Sequence, residues 1–251
     1  MTEMSKIKQA INLLIEVATD FQPAAFSTSY SVEDMIVTDL IYRYVSDIEI
    51  FTLDTGRIPE ETYALAKKVK EKYGANIRSY FPDTEKLQEF VLSHGHNAFY
   101  ESVDTRKLCC QIRKVEPLQR ALSDKRAWVT GLRAQQSVTR AKLPESQWDK
   151  QFEIMKFNPL ADWSHQDVWS YIYDNDIPYN DLYEEGYASI GCEPCTRAIT
   201  VGEDIRAGRW WWENPESKEC GLHCASKAGI AESSETAPAS ETKLPHSAAT
   251  V

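Results

Sequence analysis

The chain has no long apolar run. Nothing in its 251 residues approaches the roughly 18 consecutive apolar positions that a membrane span requires. Its beginning, MTEMSKIKQAINLL, lacks the apolar stretch of a secretory leader. These absences predict a cytoplasmic protein with no membrane partner. An excess of basic charge is missing as well: 28 Lys and Arg stand against 38 Asp and Glu, for a net charge of -10. That balance excludes a general nucleic-acid binder, whose affinity is built on surplus cations. No internal repeat is visible, so the 42% hydrophobic content is read as one substantial core.

What is present alternates. Ile7 to Val17 has helical periodicity, and Ala24 to Phe26 reads as a strand. A helix follows with Val32, Met35, Ile36, Leu40, Ile41 and Tyr44 on its apolar positions, and Ser31 with Asp34 resembles a capping box at its start. Strand Ile48 to Leu53, helix Glu60 to Tyr73, strand Ile77 to Phe81 and helix Thr84 to Leu92 continue the pattern. Further strands are expected at Ala127 to Thr130 and Met155 to Phe157, and Ser164 with Asp167 opens another helix. Such alternation predicts an α/β fold with a parallel sheet. After about Ser226 the composition turns to Ser, Ala, Glu, Thr and Pro with little to bury. The expected organisation is one domain over 1–225 and a disordered tail over 226–251.

Ligands of open parallel sheets bind where strands end and helices begin. Two such ends are polar here. Ser27-Thr28-Ser29-Tyr30-Ser31 is a hydroxyl-rich turn suited to a phosphate or sulfate. In Leu53-Asp54-Thr55-Gly56, Gly56 lets backbone approach a ligand and Asp54 is placed to meet a ribose or base. Cations gather in two acid-free stretches: Arg106, Lys107, Arg113 and Lys114 lie between Asp104 and Glu116, and Lys125, Arg126, Arg133, Arg140 and Lys142 lie between Asp124 and Glu145. An acidic chain with local basic stretches suggests a pocket for a small anion.

The chain has six cysteines, which in a reducing compartment suit metal or redox chemistry better than disulfides. Four of them form two close pairs, Cys109-Cys110 at the expected start of a helix and Cys192-Glu193-Pro194-Cys195. Two such pairs hold either a zinc ion or a four-iron cluster. Adjacent cysteines chelate one tetrahedral ion awkwardly, whereas a cubane offers each sulfur its own corner. Lys114, a helical turn after Cys110, is expected on the same face. Cys220 lies near the tail, with His223, Arg206 and Arg209 available to favour its thiolate.

These motifs together resemble the assimilatory adenylyl-sulfate reductases, the iron-sulfur branch of the sulfonucleotide reductases. The resemblance runs from about Ile11 to His223. It rests on Ser27 to Asp34, Leu53 to Gly56, Cys109-Cys110-x-x-Arg113-Lys114, Gly131-Leu132-Arg133, Gly191-Cys192-x-x-Cys195 and Glu219-Cys220-Gly221-Leu222-His223. It implies an adenine-nucleotide alpha-hydrolase-like fold with a C-terminal catalytic segment, and one [4Fe-4S] cluster per chain on Cys109, Cys110, Cys192 and Cys195. It further implies reduction of adenosine 5'-phosphosulfate to sulfite and AMP for cysteine biosynthesis, with thioredoxin as reductant. By the same resemblance Ser27, Thr28, Ser29 and Ser31 hold the phosphosulfate, and Asp54, Thr55 and Gly56 shape the adenosine site. Arg133 and Arg140 clamp the anion, and Arg206 and Arg209 add charge from the C-terminal side. Lys114 carries the cluster's field to the substrate, and Cys220 is the nucleophile beside His223. Relatives acting on the 3'-phosphorylated nucleotide generally lack both cysteine pairs, which leaves that substrate, or dual specificity, as the alternative. An ATP pyrophosphatase would show an SGGxDS-type loop, which the turn at Ser27 does not match, and a non-catalytic metal sensor would release no sulfite. Cys224 and the tail stand outside the family pattern.

Overall fold

The computed structural model describes residues 3–136 and 143–214. Its sheet has six strands: β1 (Ala24–Thr28), β2 (Glu49–Leu53), β3 (Arg78–Tyr80), β4 (Ala127–Val129), β5 (Ser146–Asp149) and β6 (Ile154–Phe157). Their order is β3-β2-β1-β4-β6-β5. All pairings are parallel except that of the edge strand β5 with β6. The helices are α1 (Glu3–Asp20), α2 (Val32–Tyr44), α3 (Glu60–Tyr73), α4 (Thr84–His94), α5 (Val103–Cys110), α6 (Glu116–Leu122) and α7 (His165–Asp174). No described helix is long and apolar enough to cross a membrane.

Side chains of the central strands alternate between two apolar layers, as a period of two requires. Phe26, Val129 and Phe157 face a core shared with α1, α2, α3 and α7. Ala25, Phe51, Trp128 and Ile154 face Leu118, Ala121 and Leu122 of α6. Parallel strands covered on both faces have no solvated side. Helix α2 is the innermost: ten consecutive residues, Val32 to Ile41, are buried. Its Asp39 carboxylate is stabilised by the hydroxyls of Tyr73 (2.9 Å) and Tyr171 (2.7 Å) and by Arg43 (3.2 Å).

Most expected elements are present with slightly shifted ends. Strand β5 is the exception, since Ser-Gln-Trp-Asp has no β-branched residue and its only partner is β6. The cysteine pair is also placed differently. Cys109 and Cys110 close α5 rather than opening a helix, and the chain continues through a π turn, Gln111–Val115, into α6. Helices α5 and α6 with this turn form one continuous run, so Lys114 sits in a widened turn and not at ordinary helical spacing from Cys110.

The chain leaves β1 for β2 on one side, while β4 lies against β1 on the other. This is a topological switch point, where diverging connections open a crevice above the strand ends.

Candidate active site

The crevice holds a cavity of about 250 Å³ lined by Ser27 to Ser31 at the end of β1, Thr52, Leu53 and Thr55 at the end of β2, and Thr130 to Leu132 after β4. The turn after β1 is tied down by its own side chains. Ser31 caps α2, its hydroxyl accepting the Asp34 amide at 3.2 Å. The carboxylate of Asp34 does not return to Ser31, as a full capping box would. It accepts instead from the amide and hydroxyl of Ser29, both at 2.6 Å. Helix α7 has the complete box, Ser164 with Asp167. Asp34 also leaves no space beside β4: a Cβ on Gly131 would overlap its carboxylate. Burial pushes the Asp34 carboxyl up to about 6, against the lowering pull of the Ser29 bonds.

Hydroxyl directions follow from this network. Ser27 Oγ accepts the Trp128 indole N–H at 2.8 Å, Thr28 Oγ1 accepts the Tyr30 amide at 3.1 Å, and Ser31 Oγ accepts the Asp34 amide. A hydroxyl oxygen that accepts one bond keeps its own proton free to rotate toward another acceptor. Ser27, Thr28 and Ser31 line the cleft with hydroxyl protons left to offer to a ligand oxygen, while the Ser29 hydroxyl is committed to Asp34.

Arg206 and Arg209 form part of the opposite wall. The Arg209 guanidinium lies over the Trp210 ring at 4.8 Å and donates to the Ile190 carbonyl at 3.2 Å. It needs Gly191, since a Cβ there would overlap the guanidinium. Its Nε is buried without a partner, an arrangement that invites an anion.

Arg133 departs from its expected place. It is 1% exposed and does not line the cavity; its Nε and Nη2 donate to Glu33 Oε1 at 3.0 and 2.7 Å, and its Nη1 donates to the Trp163 carbonyl. A guanidinium so engaged neutralises Glu33, which does line the cleft, and is not available to clamp an anion. Asp54 is likewise turned inward, accepting from the Gly56 amide and the Tyr63 hydroxyl. Gly56, at φ +69°, lies beside Arg113, whose Nη1 donates to the Thr55 carbonyl at 2.6 Å. Of the second polar strand end, Leu53 and Thr55 line the cavity and Asp54 and Gly56 support it from behind. Arg140, Cys220 and His223, and with them Cys224, lie outside the described residues.

Next to the cleft is a second, small cavity of about 20 Å³, lined by Cys109, Cys110, Cys192 and Cys195 together with Arg57, Arg106, Arg113 and Lys114. All four cysteines are buried and unpaired as disulfides. Thr55 Oγ1 is 3.3 Å from Cys192 Sγ. Burial works to raise the Cys192 thiol, but Lys114, the Thr55 hydroxyl and Arg209 outweigh it and the thiol is lowered. Burial pushes Cys195 up to about 11, with the neighbouring Cys192 adding to it, and burial likewise raises Cys109. Among the described residues no three His, Cys, Asp or Glu side chains converge on a single metal-ion position. Four thiols ringing one cavity, with four cations facing them, suit an anionic group larger than one ion.

Lys114 and Cys192 line both cavities. A nucleotide in the cleft and a group held by the thiols would share that wall.

Residues 23–198 match the phosphoadenosine phosphosulfate reductase domain. The chain belongs to that family. Among its relatives in the family, an adenosine 5'-phosphosulfate reductase of Allochromatium vinosum is 55% identical over 214 residues, covering 85% of this chain and 84% of its own. One of the same name from Burkholderia cepacia is 48% identical, covering 94% of both. The phosphoadenylyl-sulfate reductase of Candida auris, solved with phosphate, superposes with a TM-score of 0.65 at 28% identity over 76% of this chain and 90% of its own. An FMN adenylyltransferase of Candida glabrata, 14% identical, shares the fold with a TM-score of 0.52 over 87% of this chain and 78% of its own.

Some functional features of this family member carry no local sign in the sequence. The Glu33–Arg133 pair joins residues 100 positions apart. Gly131 and Gly191 stand in recognisable motifs, but the close approach of Asp34 and Arg209 that requires them comes from distant residues. Tyr183 and Trp210, both on the cleft wall, lie in no motif that marks a ligand.

Proposed function

We propose that the chain reduces adenosine 5'-phosphosulfate to sulfite and AMP, with a dithiol protein of the thioredoxin class as reductant. The observation that carries this reading is the shared wall. The hydroxyl- and arginine-lined cleft suits a sulfonucleotide, and Lys114 and Cys192 connect it to the four-cysteine cavity. The names of the relatives at 48–55% identity agree.

Cys109, Cys110, Cys192 and Cys195 would hold a [4Fe-4S] cluster, one per chain. When bound, the cluster supplies a compact polarising charge beside the cleft and links the α5 segment to the Cys192 segment. The remaining steps belong to side chains. Ser27, Thr28 and Ser31 donate to the anion, while Arg206 and Arg209 offset its charge across the cleft. Lys114 places a further positive charge at the shared wall. With the anion neutralised, an approaching thiolate is no longer repelled.

In this reading the Cys220 thiolate attacks the sulfate sulfur. The S–S bond forms as the bridging S–O bond to phosphate breaks, and AMP leaves with that bond's electron pair. A thiolate of the reductant then attacks Cys220 Sγ and sulfite departs with the S–S pair. The reductant's second thiol closes its own disulfide, returning Cys220 as thiol and supplying two electrons in all. His223 and Arg209 favour the Cys220 thiolate.

The test is a trapping experiment with sulfur-labelled nucleotide and no reductant. About one label per chain should remain on the protein, as a single nucleophile requires, and reduced thioredoxin should release it as sulfite. Cys220→Ser should retain no label while Cys224→Ser behaves like the parent. Labelling that survives Cys220→Ser contradicts the assignment.

A further inference from the structure

Tyr183 ends the short turn Asp181–Tyr183 and stands on the wall of the cleft. Its ring meets Trp169 edge-on, with centroids 5.5 Å apart and planes at 83°, so the phenol is held in place. Its Oη accepts the amide of Val32 at 3.3 Å. Val32 is the first residue of α2, and amides at that position have no partner within their own helix. They are the groups that helix N-termini offer to oxyanions. Here the amide is directed onto a phenol instead.

An oxygen that accepts from Val32 presents its own O–H elsewhere. Of the two nearby carboxylates, Glu33 Oε1 receives Arg133 and Asp34 Oδ2 receives Ser29, and neither carboxylate accepts from Tyr183. No acceptor for the Tyr183 proton occurs among the described residues. Burial, followed by the charges of Glu33 and Asp34, raises the phenol and keeps it protonated at neutral pH. Phenylalanine would fill the same wall and pack on Trp169 equally well, so packing does not account for the hydroxyl.

We propose that Tyr183 is a substrate-binding residue that relays the N-terminal potential of α2 into the cleft. The Val32 amide fixes and polarises the phenol, and the phenol O–H donates to a phosphate oxygen of the bound nucleotide. This inference rests on the reading of the cleft as a sulfonucleotide site. The relay extends the reach of α2 by one side chain, and it brings a donor from the segment that leads on to Cys192.

The experiment is Tyr183→Phe in the holoenzyme, with AMP and adenosine as separate calorimetric probes. A hydrogen bond to a charged phosphate predicts a loss of about tenfold or more in AMP affinity. Adenosine, which has no phosphate, should bind within about twofold of the parent. With adenosine 5'-phosphosulfate, KM should rise while kcat changes little, as expected when a contact is equal in ground and transition states. If Tyr183 serves only to cap Val32, the variant melts earlier but AMP and adenosine fall together or not at all, and the proposal is overturned. A parent that binds AMP yet makes no sulfite would remove the reading of function; a selective loss of AMP in Tyr183→Phe would still uphold the donor.

Discussion

The hydroxyl of Thr55 lies 3.3 Å from the sulfur of Cys192, at the junction of the nucleotide cleft and the cysteine cavity. One side chain comes from the end of β2, the other from a turn 137 residues later. The surroundings lower the Cys192 thiol, whereas they raise Cys109 and Cys195.

That difference predicts the order of chemical modification. In metal-free protein, alkylation near pH 7.5 followed by peptide mass mapping should find Cys192 modified ahead of Cys109 and Cys195, since the thiolate is the reacting form. Lys114→Ala should slow Cys192 most. Equal rates at the three sulfurs would contradict the electrostatic account of this wall.

Asp34 gives a pH dependence whose sign is opposite to that of an ion-paired carboxylate. Its folded value of about 6 lies above the ordinary 3.8, so the folded state favours the protonated form. The stability contributed by Asp34 is complete below about pH 4 and declines as the pH rises through 6, by at most about 3 kcal/mol. Asp34→Asn keeps an acceptor for Ser29 and removes the charge. Relative to the parent, it should gain stability between pH 4 and pH 8 in urea titrations. A difference that is flat with pH would show that Asp34 is solvated or paired in a way the geometry does not allow.

Arg133 and Arg206 should respond differently to the same truncation. Arg133→Ala leaves Glu33 charged and buried, and loss of one partner of such a pair costs about 3–5 kcal/mol. Its effect on turnover should follow from that loss of structure at the cleft. Arg206→Ala should change stability by about 1 kcal/mol or less but weaken AMP binding by about tenfold. Thermal melts with calorimetry separate the two. An Arg133→Ala variant that melts like the parent and loses only nucleotide affinity would restore Arg133 to the role of a direct clamp.

Much of this architecture is legible in the sequence because it is written in local periodicity. The strand–helix alternation up to Leu92, the caps at Ser31 and Ser164 and the polar turn after β1 all involve residues within a few positions of one another. The cysteine pairs are legible for another reason: two close pairs of a residue scarce elsewhere in the chain need a common explanation. What escapes is decided by distant neighbours. Arg133 reads as an anion clamp until Glu33, 100 positions earlier, is seen to hold it. Asp54 reads as a ribose ligand until Tyr63 and Gly56 are seen to engage it. The π turn after Cys110 leaves no mark in a pattern that spacing alone describes as helical, and β5 exists because β6 offers it an edge.

The central claim is that the cleft and the cysteine cavity together reduce adenosine 5'-phosphosulfate, and the most direct test is sulfite release from the two candidate nucleotides. Holoenzyme, reduced thioredoxin and either adenosine 5'-phosphosulfate or its 3'-phosphorylated form are mixed at equal, subsaturating nucleotide concentration, and initial rates are compared. The account predicts a preference for the unphosphorylated nucleotide of well over tenfold, a difference above about 1.4 kcal/mol in transition-state stabilisation. Equal rates, a reversed preference, or no sulfite from either nucleotide would contradict it.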